Sequence, residues 1–120
     1  MLNIHVENIG DLAIIECEGR IVRSEAALKL RAAVIAECDS RMIVIDLSEV
    51  PAVEAGGLGM LMYLQRWAAD HEVRFKLFNP RQSVRYQLEH TGAMRGFEIA
   101  TLDEMLALMA SAENHYSQAA

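Results

Sequence analysis

Apolar and polar positions alternate at the start of the chain, then shift to a helical period and back several times. Ile4 and Val6 open an alternating segment, Asn8-Ile9-Gly10-Asp11 has turn composition, and Leu12 to Cys17 (LAIIEC) resumes as a strand closed by Gly19. An N-terminal β-hairpin is predicted. Ser24 is a suitable N-cap with Glu25 in the first helical turn, and Ala27, Leu30, Val34 and Cys38 follow on one helix face. Met42 to Leu47 (MIVIDL) is almost wholly apolar and β-branched, the pattern of a central strand covered on both faces.

Gly56 to Asp70 reads as a helix, and Arg74 to Phe78 as a strand in which Val73, Phe75 and Leu77 alternate with Arg74 and Lys76. Asn79-Pro80 suits a helix start, Gly92 a helix end near Thr91, and Phe97 to Ile99 a short last strand. Thr101 and Glu104 form a T-x-x-E capping box ahead of a stripe of Leu102, Met105, Leu106 and Met109. The predicted order is β-β-α-β-α-β-α-β-α. Crossover helices between strands imply an α/β fold, a mixed β-sheet with an N-terminal hairpin and about four helices. Residues 1–110 form one domain in this reading. The apolar period lapses at Ser111, and residues 111–120 are expected to fray.

Charge narrows the functional classes. Seventeen acidic residues against eleven basic give a net charge of -6, with no Lys/Arg cluster, which disfavours direct binding to nucleic acid or to anionic membranes. No apolar run is long enough for membrane insertion, and MLNIHVENIGD lacks signal-peptide features, so a cytoplasmic location is expected. Cys17 and Cys38 have no metal-type spacing and are expected to be small buried hydrophobes. His5, His71, His90 and His115 are scattered, and no nucleophile elbow, P-loop or dinucleotide fingerprint is present. No enzyme, cofactor or metal site is expected.

Asp46-Leu47-Ser48-Glu49-Val50-Pro51, followed by Glu54-Ala55-Gly56-Gly57-Leu58-Gly59, resembles the signature of STAS domains, found in anti-sigma-factor antagonists and sulfate-transporter tails. Phe78-Asn79-Pro80 and Leu88-Glu89-His90-Thr91-Gly92 look like later landmarks of the same family, so that the resemblance runs from Ile4 to Met109. It implies a regulator of partner switching. In anti-sigma-factor antagonists the unmodified domain binds an anti-sigma factor with kinase activity, and phosphorylation of a Ser or Thr at the start of the helix after the central strand breaks that docking.

The chain departs from the pattern at that point. Where the family reads Asp-Ser-Ser-Gly or Asp-Ser-Thr-Gly, this chain has Glu54-Ala55-Gly56-Gly57, with Gly56 at the acceptor position. Glycine has no oxygen to phosphorylate. Three readings of the glycine pair stand side by side: a backbone that takes φ > 0 and enters the helix tightly, a surface that lets a partner approach closely, and an anion site at a helix N-terminus. Glu54, by folding back onto the helix amides, would oppose the third.

Projected at a helical period, Leu58, Leu61, Met62, Ala68 and Ala69 gather on an expected core face of the Gly56 helix, and Met60, Tyr63, Leu64 and Trp67 nearly opposite. The second group has the side-chain types of interface cores. The expected contact set is therefore Glu54, Ala55, Gly56, Gly57, Leu58, Met60, Tyr63 and Trp67. Its partner is expected to be an anti-sigma factor or kinase-like protein. A nucleotide-binding subunit of a lipid-transport ATPase complex and a homodimer built on Met60, Tyr63 and Trp67 stay open as alternatives, as does a small anion or nucleotide ligand.

Overall fold

The computed structural model of the chain describes residues 2–21, 24–90 and 96–119, the side chains of Ser24 and 114–119 excepted. Its elements follow in the expected order: β1 (Asn3–Ile9), β2 (Leu12–Glu18), α1 (Ser24–Ile35), β3 (Met42–Glu49), α2 (Ala55–Asp70), β4 (Arg74–Phe78), α3 (Gln82–His90), β5 (Ile99–Ala100) and α4 (Leu102–Ala119). The strands form one five-stranded sheet in the order β1-β2-β3-β4-β5. β1 runs antiparallel to β2 and the remaining neighbours are parallel. This is the mixed sheet that the alternation of strands and helices implied.

The first connection shows how local sequence sets register. Ile9 pairs with Leu12, which leaves Gly10 and Asp11 as the turn. Gly10 has φ 57° and Asp11 is not left-handed, the arrangement of a II′ hairpin with glycine at its first central position.

Strand periodicity then divides the apolar residues between two layers. Ala13, Ile15, Cys17, Ile43, Ile45, Leu47, Phe75 and Leu77 point to one face, where they pack with residues of α1, α2 and α3 in the main core. Leu12, Ile14, Met42 and Val44 point to the other face and pack with Met105 and Ala112 of α4. Both faces of β3 are covered over Met42–Ile45, as the unbroken apolar run required.

Several local expectations change. α1 stops at Ile35 and the chain turns through Cys38, so Cys38 is exposed while Cys17 is buried. α3 begins at Gln82 instead of at Pro80, and Asn79 takes a left-handed conformation (φ 51°) in place of the extended one of an N-cap. The helix end assigned to Gly92 lies outside the described residues. The last strand is Ile99–Ala100, and Phe97 before it is buried in the main core. On α4 the inward stripe is Met105, Leu108, Met109 and Ala112, whereas Leu102 and Leu106 are 62% and 55% exposed. The backbone of α4 continues as helix past Ser111 to Ala119. Among the described residues no helix is long and apolar enough to cross a membrane.

Candidate functional site

The start of α2 is held in place by the two loops beside it. On one side, the segment after β3 runs along the segment after β2. Gly19 N–H donates to the Glu49 carbonyl (3.0 Å), Ile21 N–H to Ala52 (3.0 Å), and Glu54 N–H to Ile21 (3.1 Å). Ile21 and Val53 form an isolated parallel bridge. On the other side, residues before and within the first turn of α3 grip the same segment. The Arg81 Nε–H donates to the Ser48 carbonyl (2.9 Å), its guanidinium pairs with Glu49 (3.3 Å), and the Ser83 hydroxyl donates to the Pro51 carbonyl (3.0 Å). The Ser48 hydroxyl bonds Asp46 of its own strand and accepts from the Asn79 amide (3.2 Å). The turn leading into α2 is thus preorganised from both flanks.

Gly57 shows how close this packing is. A Cβ there would lie 2.3 Å from the Ile21 carbonyl oxygen and 2.9 Å from both Ile21 Cγ2 and Val53 Cγ1. Neither Gly56 nor Gly57 has a positive φ, so the φ > 0 part of the backbone reading does not hold. Gly57 is required because its own chain passes too near for a side chain. Gly56 is under no such constraint: a Cβ there would meet nothing within 4 Å, and the same is true of Gly59. Glu54 is the N-cap residue of α2 and makes no side-chain cap hydrogen bond. It does not fold back onto the helix amides.

The expected contact residues separate on this frame. Glu54, Ala55 and Gly56 are exposed, while Gly57 and Leu58 face inward. Tyr63 is 45% exposed, with the Arg31 guanidinium of α1 5.4 Å above its ring centre. Met60 and Trp67 are half-buried and pack against the main core. Two assignments on the helix wheel are corrected. Leu64 is fully buried, with Gly57, Leu61 and Ala68, and Met62 and Ala69 are exposed. The inward face also carries Gly57, a residue that a hydrophobicity projection does not count as apolar. Gly59 and Met62 were therefore missed as surface residues of this end of α2. The resulting surface is a side-chain-poor strip, Ala55, Gly56 and Gly59, bordered by Met62 and Tyr63.

Two histidines and a cysteine elsewhere are structurally occupied. His71 stacks on Trp67 and His90 on Tyr86, each with Nδ1 within hydrogen-bonding distance of the stacked residue's carbonyl oxygen (2.8 and 2.9 Å). Burial, with a smaller push from the Asp46 carboxylate, raises the Cys17 thiol to about 12. Among the described residues no group of three or more His, Cys, Asp or Glu is placed to hold a metal ion.

Comparison with known proteins accords with this geometry. No curated protein matches the sequence. An anti-sigma factor antagonist from Mycobacterium paratuberculosis superposes with a TM-score of 0.77 at 24% identity, covering 92% of this chain and 95% of the other. The anti-sigma factor antagonist SpoIIAA in its unphosphorylated form gives 0.74 at 18% identity, with 91% and 97% covered. A sulfate transporter family protein from Wolinella succinogenes gives 0.72 at 17% identity, with 85% and 87% covered. At such identities these structures share the fold. The family itself follows from the sequence match, since residues 3–105 fit the STAS domain, and the chain belongs to the STAS domain family.

Proposed function

We propose that the chain is a non-catalytic regulatory domain that docks onto a protein partner through the 53–59 turn and the exposed flank of α2. The partner is an anti-sigma factor with kinase activity, and docking is not switched by phosphorylation at Gly56. The observation that carries this reading is the open strip of Ala55, Gly56 and Gly59 beside Met62 and Tyr63, on a turn immobilised by hydrogen bonds from both sides. A surface without side chains lets another backbone approach closely, and one already ordered loses little entropy on binding. Tyr63 and Met62 supply the apolar border, with half-buried Met60 and Trp67 supporting it from beneath. The structural likeness to anti-sigma factor antagonists supports the partner class. No cofactor is required, and a cytoplasmic location suits such a partner.

Because Gly56 offers no hydroxyl, the domain is competent to dock at all times in this reading. Titration with a kinase-type anti-sigma factor from the same cell tests it. Tyr63→Ala should weaken binding on the order of tenfold or more, as for an aromatic anchor. Gly59→Arg should block docking with the fold intact, since the added side chain meets open space. Preincubation with ATP should leave the affinity unchanged. Wild-type affinity in both variants, or binding abolished by phosphate transfer to the domain, overturns the reading.

A second reading shares the surface. The fold also occurs in a sulfate transporter family protein, which supports service as an accessory subunit of a membrane transport complex such as a lipid-transport ATPase. Binding of the same strip to that complex's nucleotide-binding subunit, with none to an anti-sigma factor, would decide for it.

A further inference from the structure

The two edges of the sheet are unequal. β5 is a strand of only 2 residues, whereas β1 presents a full 7-residue edge. Long edges in soluble proteins are usually blunted by lysine, proline or a bulge. Asn3–Ile9 contains no lysine and no proline, and its register with β2 is uninterrupted from Asn3↔Glu18 to Ile9↔Leu12. We propose that β1 is a dimerisation strand, pairing antiparallel with β1 of a second copy of this chain about a two-fold axis at Val6, so that two five-stranded sheets become one.

The hairpin phase determines which backbone groups are available. A tight two-residue turn closes on a hydrogen-bonded pair, here Ile9 and Leu12, and bonded pairs then alternate along an antiparallel ladder. Ile9, Glu7, His5 and Asn3 therefore bond inward to β2, while the N–H and C=O groups of Asn8, Val6 and Ile4 point outward. No hydrogen bond within the described residues reaches those outward groups from another loop or helix. A second β1 offers the same three residues, and self-pairing is in phase when Val6 faces Val6 and Ile4 faces Asn8.

Side-chain pairing distinguishes this register from its neighbours. Centred on Val6, the pairing sets His5 of each copy opposite Glu7 of the other, twice, on the same sheet face. Sliding one way sets Glu7 against Glu7, and sliding the other way sets His5 against His5. A carboxylate facing an imidazole can accept its N–H, whereas two facing carboxylates repel and two facing imidazoles gain no carboxylate. His5 and Glu7 are both exposed in the single chain, and Ile4 and Val6 are half-buried, with apolar surface still to cover. The second copy is thus matched in backbone hydrogen bonding and in side-chain pairing. This surface is separate from the start of α2, so the inference does not rest on the docking reading.

Sedimentation equilibrium on the intact chain from about 1 µM to about 1 mM tests it. A concentration-dependent dimer is expected. His5→Glu sets carboxylate against carboxylate at both pairs and should weaken the dimer on the order of tenfold. The double substitution His5→Glu/Glu7→His should restore it, because only a register that faces position 5 with position 7 is repaired by the exchange. Hydrogen exchange at the Ile4, Val6 and Asn8 amides should slow as the dimer forms. Thermal melts confirm that the variants fold. A monomer at every concentration overturns the proposal, as does a dimer indifferent to both substitutions or one that leaves those three amides in fast exchange.

Discussion

A methyl group at Gly57 would stand 2.3 Å from the Ile21 carbonyl oxygen, and one at Gly59 would touch nothing. Two glycines of one short motif therefore do unlike things. Gly57→Ala should cost about 1–3 kcal/mol in urea denaturation, since the contact is with backbone and cannot be relieved by a rotamer change. Gly59→Ala, at an exposed helical position, should raise stability by about 0.5–1 kcal/mol in the same assay. If the strip is a docking surface, that stabilised variant should bind its partner less well. The cysteines differ in a parallel way. Cys17 is buried with its thiol raised to about 12, and Cys38 is exposed. At pH 8 a thiol reagent should titrate one cysteine in the native protein and both in denaturant. The raised value also means that stability is unaffected below the ordinary thiol value of 9.0 and falls as pH climbs from there toward 12. Neither distinction was legible in the sequence, because a residue type does not say what passes beside it.

At the scale of elements, the Thr101 N-cap of α4 was legible, since its parts lie within one helical turn. The Thr101 hydroxyl accepts from Glu104 N–H (3.1 Å) and donates toward the Glu104 carboxylate (3.3 Å). Thr101→Ala should cost about 1 kcal/mol in a denaturant melt. What the sequence did not reveal is Lys76, nearly buried at the α4 layer, pairing with Glu98 at 2.9 Å and reaching Glu104 at 3.9 Å. The hydrogen bond from Lys76 and its charge hold the Glu98 carboxyl below the usual range. A lowered carboxyl contributes stability present above its unfolded value and lost as pH falls through the folded one. The contribution is small because Glu98 is well exposed to solvent. Glu98→Gln should reduce stability at pH 7 by less than about 1 kcal/mol and flatten part of the acid limb of the stability profile. For α2 the helical period was plain but its phase was not. Leu64 and Met62 are equally apolar, and Leu64 turns inward on the arc it shares with Gly57, Leu61 and Ala68.

The whole molecule is a sheet with three helices on one face and α4 on part of the other. α4 is what shields Leu12, Ile14, Met42 and Val44, so ending the chain at Ala100 should expose them and give dye binding and aggregation in place of a cooperative melt. The last buried residue among those described is Ala112. A chain ending at Glu113 should keep its fold, with stability changed by less than about 0.5 kcal/mol, which a thermal melt checks. The order of elements, the mixed sheet and the doubly covered β3 were determined by the sequence alone. Periodicity and turn composition act over a few residues, and the motif order carried the family. The tertiary structure decided which face each helix buries, that the glycine pair combines one packing requirement with one free position, and which strand edge is left open. Those features depend on which backbone comes to lie against which, and residues such as Ile21 and Gly57 meet only after the chain has folded.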